Sequence, residues 1–365
     1  MTPKPNFLAD LRTRIHQHAE QVQSVFLELG DARLNPPNPF DPRSILTAER
    51  RIRPHVAETP LLPSPVLSEQ TGASVFLKLE NRQTTGSFKL RGATNKLLGL
   101  SAAQRRRGIV TASTGNHGLA VAHAVSQLGV TATIFMPEDA SQRKVAKLRN
   151  YDVELRFIPG DAVNAEMTAR RSADETDRLF VSPYNDPEIV AGQGTVAVEM
   201  LRQQPELDAV FVSVGGGGLM GGIGSYCKDL PGFGKPGRSS PIQVVGCLPE
   251  NSPVMLESVR AGCIVEMDGL PTLSDGTAGG IEADAITFDL CRGCVDEWLT
   301  VSEAAIADAI RLIYREGGEV IEGAAGVAVA ALLQTGQRFV GQTVAVVICG
   351  GNIDDGRFQE IVGAR

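Results

Sequence analysis

The sequence predicts an α/β fold in which a parallel sheet is wound with helices on both faces. Short β-rich runs alternate with helix-length segments along most of the chain, and glycine-rich turns follow directly after apolar runs. Parallel strands need crossover connections, so repeated strand, helix and strand segments indicate parallel pairing with right-handed crossovers. The chain is therefore expected to bind its ligands at the carboxyl ends of strands, as such sheets do.

Seven runs are predicted to form the strands. Each is short and rich in apolar or β-branched residues, and helix-length segments such as HGLAVAHAVSQLG and SEAAIADAIRLIYREGG lie between them. The predicted strands span residues 75–80, 108–113, 131–137, 153–159, 209–214, 242–247 and 344–350.

The first 44 residues are predicted to be a helical extension of the main domain. Residues 7–30 carry apolar side chains at spacings of three and four and end in glycine, which is typical of an amphipathic helix. The proline-rich stretch DARLNPPNPFDP then ends it. We expect this helix to pack on the main domain or on a neighbouring subunit.

Composition excludes several classes of function. The chain has 365 residues and a formal net charge of −7, which argues against nucleic acid or anionic membranes as partners and favours a small-molecule ligand. No run reaches the roughly 20 apolar residues that would span a bilayer. The six cysteines are scattered rather than spaced as a disulfide framework, so we expect a cytoplasmic protein with reduced thiols.

Four consecutive glycines follow the predicted strand AVFVSV, in the stretch FVSVGGGGLMGG. A glycine loop that enters a helix exposes backbone N–H groups at the positive end of the helix dipole, where an anion such as phosphate binds. Neither the P-loop pattern nor a clean dinucleotide fingerprint is present. Glycine-rich turns also occur for tight packing alone, so a second motif must identify the phosphate.

That second motif is TTGSFKLRGA, which places Lys89 at a predicted helix start. Burial and the positive end of a helix both favour a neutral amine, and a neutral lysine can form a Schiff base. The alternative is an ordinary surface lysine, which is the interpretation given to Lys96. Two further turns add weight: TASTGNHG offers hydroxyl, amide and backbone donors suited to a carboxylate, and VVICGGNIDD places Cys349 at the end of a buried strand.

Five motifs in order, GSFKLRGA, ASTGNHG, PYNDPEIVAGQGTVAVEML, SVGGGGL and ICGGNID, resemble the serine/threonine dehydratase family of pyridoxal-phosphate enzymes. The resemblance runs from about residue 45 to the C-terminus. It implies the tryptophan-synthase-β-like, fold-type-II architecture: a large domain of residues 45–112 and 187–365 with a smaller, mobile α/β domain of residues 113–186 inserted. PENSP and DGTAGGIE are most similar to the hydroxyectoine-utilisation dehydratase branch.

The resemblance implies pyridoxal 5′-phosphate as cofactor and a role for each matching residue. Lys89 would form the Schiff base with the cofactor aldehyde and later remove the substrate α-proton, Phe88 would pack near the pyridine ring, and Asn116 would bind the 3′-oxygen. Cys349 would face the pyridine nitrogen, where a thiol supports the ring as an electron sink less strongly than a carboxylate does. The phosphate cup would consist of Gly215, Gly216, Gly217, Gly218 and Leu219.

The resemblance also implies a carboxylate-binding loop for the substrate, made by Ser113, Thr114, Asn116 and the backbone around Gly115 and His117. The implied reaction removes water and then ammonia from a β-hydroxy amino acid such as serine or threonine, giving a 2-oxo acid. The alternatives are a 3-hydroxyaspartate or hydroxyectoine-derived substrate. Racemisation is a further alternative, because Thr114 stands where racemases place the serine base of the opposite face.

Two features argue against metal or redox chemistry. Racemase-like relatives bind a divalent metal through carboxylates after the strand equivalent to IQVVGC, but Leu248 and Val254 stand there with only Glu250 nearby, so no metal is expected. Cys291 and Cys294 form a lone C-x-x-C, interpreted as two ordinary thiols.

Two other classes of protein share the fold. A β-replacement enzyme is less consistent with KLRGA and ASTGNHG, and a non-catalytic binder would have little use for an intact lysine, glycine cup and asparagine loop. The family is commonly dimeric or tetrameric, so we expect a homo-oligomer. Because only NIDDGRFQEIVGAR follows the CGG turn, we expect no C-terminal effector domain and no inhibition by isoleucine.

Overall fold

The computed structural model describes residues 40–229 and 241–363, and the predicted α/β fold is confirmed there. The helix predicted over residues 7–30 lies outside these ranges. The strands are β1 (Leu61–Pro63), β2 (Ser74–Leu79), β3 (Ile109–Ala112), β4 (Ala132–Pro137), β5 (Glu154–Ile158), β6 (Leu179–Phe180), β7 (Ala209–Ser213), β8 (Gln243–Pro249), β9 (Glu297–Val301) and β10 (Thr343–Ile348).

Fourteen α-helices are found in the described residues, together with 3₁₀ turns at Glu80–Arg82 and Gly336–Phe339. The helices are α1 (Arg43–Ile52), α2 (Pro65–Thr71), α3 (Lys89–Leu98), α4 (Ala102–Arg107), α5 (Asn116–Leu128), α6 (Gln142–Leu148), α7 (Ala162–Glu175), α8 (Pro187–Gln203), α9 (Gly218–Asp229), α10 (Val254–Ala261), α11 (Ile286–Cys294), α12 (Glu303–Gly317), α13 (Gly323–Thr335) and α14 (Asp355–Gly363). No helix of the described ranges is long and apolar enough to cross a bilayer.

The larger sheet has six strands in the order β1-β2-β10-β7-β8-β9. Every neighbouring pair is parallel except β1 with β2. Its central strands β7 and β10 are almost wholly apolar and buried, as expected for a sheet covered by helices on both faces.

The smaller sheet has four parallel strands in the order β5-β4-β3-β6. Because β3 pairs with both β4 and β6, this sheet begins at Ile109, before the boundary that was expected at residue 113. The ASTGNHG motif, at which the boundary was drawn, follows β3. The division into two domains stays a prediction. The mobility of this part remains a prediction.

All seven predicted strands are present, with ends shifted by one or two residues. Three strands were missed: β1 and β6 have only three and two residues, and β9, with the sequence EWLTV, lies at a sheet edge and mixes polar with apolar side chains. Such short or edge strands give little hydrophobic signal.

Helices α3 and α8 approach each other closely through a pair of glycines. A Cβ built at Gly192 would lie 2.5 Å from the Cα of Gly92, so neither position has room for a side chain. This close packing fixes the N-terminus of α3, where Lys89 is located, against the core of the larger sheet.

A buried cluster of charged side chains lies beneath α3. The Arg91 guanidinium donates to Glu80 at 2.7 Å and to Glu199 at 2.7 Å, and the Lys78 ammonium donates to Glu199 at 2.7 Å. All four side chains are fully buried. Buried ions of this kind are tolerated only when each is paired and hydrogen-bonded, so Arg91 and its two carboxylates form one interdependent unit.

Candidate active site

Three turns that follow strands line a single cavity of about 380 Å³. They follow β3, β7 and β10, so the cavity lies at the carboxyl ends of both sheets. Every predicted site residue lines it: Phe88, Lys89, Ser113, Thr114, Gly115, Asn116, His117, Gly215, Gly216, Gly217, Gly218, Leu219 and Cys349. Residues far apart in the sequence, such as Phe88 and Cys349, are therefore brought together as the motifs predicted.

Lys89 is the first residue of α3, and its side chain reaches into the cavity. Its Nζ donates a hydrogen bond to the carbonyl oxygen of Pro183 at 2.8 Å. Burial lowers the pKa of this amine from its usual 10.5 to about 8, and the neighbouring Cys349 and Glu322 offset only part of that effect. A sizeable fraction of Lys89 is thus neutral near pH 8 and can act as a nucleophile or a base.

The glycine loop between β7 and α9 is shaped by its lack of side chains. A Cβ at Gly216 would meet the ring of Tyr184 at 2.5 Å, and Gly217 has a φ of +85°, which favours glycine. Within the described residues, no acceptor is found for the N–H groups of Gly215, Gly216 and Gly217. These free donors, next to the N-terminus of α9, make a cradle for an anion.

The loop after β3 leads into the N-terminus of α5. The Gly115 N–H donates to the Ser113 hydroxyl at 3.1 Å, which orders the loop, and the Thr114 side chain lines the cavity. The His117 ring turns away into the core, where Nε2 contacts the Thr111 hydroxyl at 3.0 Å. Burial lowers the pKa of His117 to about 3, so the ring is neutral and only the backbone of this residue is suited to bind an anion.

Cys349 and Glu322 form the buried end of the cavity. The Ser213 hydroxyl donates to the Cys349 sulfur at 3.5 Å, and the Cys349 thiol donates to a Glu322 oxygen at 3.9 Å. Burial raises the pKa of the Cys349 thiol above its usual range, so the sulfur is protonated and uncharged at neutral pH. Burial also raises the pKa of Glu322 to about 6, although hydrogen bonds from Asn116 and from the Asn352 backbone favour its ionised form.

The cavity fits the expected cofactor in two respects. It holds an amine of lowered pKa that can take up an aldehyde, and a glycine cradle whose unsatisfied N–H donors can take up a phosphate. The roles assigned to individual residues at this cofactor remain predictions.

Sequence reasoning gave no role to several polar residues that line the cavity, among them Tyr184, Glu322 and Asn352. Glu322 is the single acidic residue in a run of small and apolar residues, VIEGAAG, immediately before α13. Asn352 lies within the ICGGNID motif but received no role. A single acidic residue directly before a predicted apolar helix is the sequence signal that could have identified Glu322.

Among the described residues, no group of three or more His, Cys, Asp or Glu side chains is arranged to hold a metal ion. Leu248 and Val254 are buried and Glu250 is exposed. Cys291 and Cys294 lie under the glycine loop, and their thiols donate to the carbonyl oxygens of Gly217 and Met220 at 3.7 Å and 3.8 Å. Cys291 therefore supports the loop backbone, and Cys294 supports the first turn of α9.

Comparison with known proteins gives consistent matches. Residues 52–350 match the family model described as pyridoxal-phosphate dependent enzyme. The chain is 41% identical over 319 residues to an L-threonine ammonia-lyase of Thermotoga maritima, covering 87% of this chain and 77% of that protein. It is 36% identical over 310 residues to a beta-hydroxyaspartate dehydratase of Paracoccus denitrificans, covering 85% and 95%. The structure of maize serine racemase superposes with a TM-score of 0.81 at 30% identity, covering 88% of this chain and 96% of that one.

Proposed function

This chain belongs to the pyridoxal-phosphate dependent enzyme family, and we propose that its cavity converts a β-hydroxy amino acid into a 2-oxo acid and ammonia. The cofactor and the fold-type-II architecture predicted from the motifs are confirmed by this membership and by the superposition on maize serine racemase. The observation that carries the proposal is Lys89, an amine with a pKa of about 8 in the same cavity as the glycine cradle. The names of the relatives from Thermotoga and Paracoccus support it.

The chain's own residues divide the work of binding. Lys89 would hold the cofactor's aldehyde carbon, the N–H groups of the glycine loop would hold its phosphate, and the loop after β3 would hold the substrate carboxylate at the N-terminus of α5. When bound, the cofactor supplies an electron sink for the negative charge that develops at the substrate Cα.

Lys89 would then act as the base. With the substrate amine in its place, the neutral Nζ would take the proton from the substrate Cα and would pass a proton to the β-hydroxyl oxygen, which would leave as water when its bond to Cβ breaks. The unsaturated amine that is released takes up water and loses ammonia, which balances the reaction. The lowered pKa of Lys89 keeps the amine available for this step near pH 8.

Cys349 would favour elimination over other outcomes. Because its buried thiol is uncharged, it would support a proton on the ring nitrogen less firmly than a carboxylate does. Charge at Cα would then be less widely delocalised, so expulsion of the β-hydroxyl would be the easier path.

A second candidate activity is racemisation of the same class of amino acid. The Thr114 hydroxyl lines the cavity, and the superposed maize protein is named a serine racemase. A threonine hydroxyl that only orders the loop or binds the carboxylate would leave elimination as the sole activity.

A substrate panel tests the proposal. Serine, threonine and 3-hydroxyaspartate are each incubated with the enzyme, and 2-oxo acid and ammonia are measured together with the enantiomeric composition of the remaining amino acid. Equal amounts of 2-oxo acid and ammonia support elimination, and accumulation of the opposite enantiomer identifies racemisation. Absence of 2-oxo acid with every substrate, together with consumption of O-acetylserine and sulfide, would show a β-replacement enzyme instead.

We further propose that the enzyme acts in the cytoplasm as a homo-oligomer. The six cysteines are scattered along the sequence rather than spaced as a disulfide framework, which suits a reducing compartment. The assignment to the hydroxyectoine-utilisation branch, made from PENSP and DGTAGGIE, also remains a proposal, and a hydroxyectoine-derived amino acid belongs in the same panel.

A further inference from the structure

Four polar side chains form a continuous hydrogen-bonded chain along the cavity wall. The Lys147 ammonium donates to Asn352 Oδ1 at 3.0 Å, Asn352 Nδ2 donates to Asn116 Oδ1 at 2.8 Å, and Asn116 Nδ2 donates to both Glu322 oxygens at 2.9 Å. All four residues line the cavity. The chain therefore joins a cation at one end to a carboxylate at the other through two amides.

The chemistry of the two ends sets the direction of every bond between them. An ammonium can only donate, so the Asn352 oxygen must face Lys147 and its NH₂ must face Asn116. The oxygen of Asn116 is then the acceptor, and its NH₂ must point to Glu322, which accepts when ionised. Asn352 Nδ2 also donates to the carbonyl oxygen of Thr85 at 2.8 Å, which gives a second reason for the same amide orientation.

The hydrogen-bonded series of four side chains crosses between the two sheets of the fold. Lys147 on α6 and Asn116 on α5 belong to the segments of the four-stranded sheet, whereas Asn352 follows β10 and Glu322 precedes α13 in the six-stranded one. Each bond of the chain therefore links one half of the cavity to the other, and the chain is complete only when both halves are in place.

Lys147 differs from the other cations on α6 in its partner. Arg143 pairs with Asp355 at 2.5 Å and Lys144 pairs with Asp275 at 3.0 Å. In the described part of the chain, no carboxylate oxygen lies within 4.0 Å of the Lys147 ammonium. Its charge is therefore directed at the Asn352 amide.

We propose that Lys147 and Asn352 are positioning residues that fix the orientation of the Asn116 amide and the loop it belongs to. The inference rests on the proposed function, in which Asn116 contacts the cofactor and its loop binds the substrate carboxylate. Without Lys147 only the Thr85 carbonyl holds the Asn352 amide in this orientation, so the direction of the Asn116 NH₂ is less firmly fixed. The site then binds both molecules in a less well-ordered geometry.

The first test replaces the cation. Lys147→Met should lower kcat/KM about tenfold, the effect of one lost charge-assisted hydrogen bond, whereas Lys147→Arg should keep it within about threefold because it still donates. Arg143→Met is the matched control, since it removes the same charge from an exposed position of the same helix. Equal kinetics for the Lys147→Met and Arg143→Met variants would overturn the proposal.

The second readout does not require turnover. The visible absorbance of the bound cofactor is titrated with pH, because a displaced donor at Asn116 changes the proton affinity of the group it contacts. The charged or titratable groups that line the cavity are Lys89, His117, Lys144, Lys147, Glu166, Tyr184, Asp275, Glu322 and Cys349, and of these only Lys147 is altered in the Lys147 variants. We expect the pH midpoint of the absorbance titration to shift in Lys147→Met and to stay unchanged in Arg143→Met and Lys147→Arg. An unshifted midpoint in Lys147→Met would refute the positioning role.

The Asn352→Asp variant tests the hydrogen bond to Asn116 separately from the contact with Lys147. An aspartate can still accept from Lys147 but cannot donate to Asn116, so this variant should show the same spectral shift as Lys147→Met. Retention of the wild-type spectrum by Asn352→Asp would contradict the proposal. A shift in both variants with no 2-oxo acid from any substrate would uphold the positioning role and reject the proposed reaction.

Discussion

The ring of Tyr184 lies directly against the bare backbone of Gly216. A Cβ at residue 216 would fall 2.5 Å from two ring atoms, well inside van der Waals contact. The ring is held in place because the Glu282 N–H donates to the Tyr184 hydroxyl at 2.9 Å. The glycine loop is thus closed on its Tyr184 side and open only toward the cavity, where its N–H groups are free.

Gly216→Ala is therefore expected to weaken cofactor binding strongly. The added methyl must displace either the ring or the loop, and a shift of the loop moves the N–H donors away from the phosphate. We expect at least about a tenfold increase in the dissociation constant for pyridoxal phosphate, measured by equilibrium dialysis of the enzyme.

Gly293→Ala is the control for this prediction. Gly293 lies in α11, and a Cβ added there would have no other atom within 4 Å, so alanine should leave cofactor affinity unchanged and stabilise the helix by about 0.5–1 kcal/mol. Normal cofactor affinity in Gly216→Ala would show that the loop does not hold the phosphate.

Lys89→Ala should abolish turnover and leave the protein folded. The variant loses both the amine that holds the cofactor and the proposed base, whereas removing a buried amine whose charge is disfavoured by burial relieves a desolvation penalty near pH 7. Borohydride treatment followed by peptide mass spectrometry should find the cofactor attached to residue 89 in the wild type only. Lys96 lies on the same helix as Lys89 and forms an ion pair with Asp186 at 2.5 Å. The Lys96→Ala variant loses this ion pair but should retain most of the activity. Ammonia release by Lys89→Ala at the wild-type rate would exclude this lysine as the base.

The sequence predicted those parts of the fold and site that local patterns encode. Long apolar runs identified the central strands, and glycine or asparagine turns after them identified the cavity, because such turns need particular residues at fixed spacing. The edge strand β9 and the two-residue strand β6 were missed because their pairing depends on neighbours far away in the sequence.

The part of the site that could not be predicted depends on long-range geometry. Glu322 meets Asn116 across 206 positions, and Asn352 meets it across 236. Glu322 stands out as the acid in VIEGAAG and Asn352 belongs to ICGGNID, but nothing local in the sequence shows that either residue meets Asn116. Only the packing of the two sheets brings them together, and that packing is not visible in a single sequence.

Glu322→Gln is expected to change the pH dependence of activity. Burial raises the pKa of Glu322 to about 6, so its carboxylate accepts from the Asn116 NH₂ above pH 6 and becomes protonated below it. Wild-type kcat/KM should therefore fall as the pH decreases through about 6, and Glu322→Gln should lack that decrease. Glu360→Gln, on the exposed face of α14, should keep the wild-type profile.

Titration of Glu322 should change the folding stability with pH in the opposite direction to the activity. A carboxyl group whose folded pKa exceeds its unfolded value stabilises the fold at low pH and loses that contribution as the pH rises through 6. Glu322→Gln should then be at least as stable as the wild type at about pH 7.5, measured by urea unfolding. A profile with the same acid limb in wild type and Glu322→Gln would assign that limb to another group.

Arg91→Met is expected to destabilise the fold by about 3–5 kcal/mol, because it leaves Glu80 and Glu199 buried without their guanidinium partner. Arg357→Met, which breaks an exposed pair with Glu360 at 3.1 Å, should cost less than about 0.5 kcal/mol.

Burial alone would raise the pKa of Glu199, but hydrogen bonds and charge from Arg91 and Lys78 outweigh it and lower the pKa to about 2. The wild type therefore holds a stabilising contribution above pH 4.5 that is lost as the pH falls toward 2, and Arg91→Met should lose less over that window. Urea unfolding at about pH 7 and about pH 3.5 measures both effects, and equal stability of Arg91→Met and Arg357→Met at the higher pH would show that the buried cluster does not act as one unit.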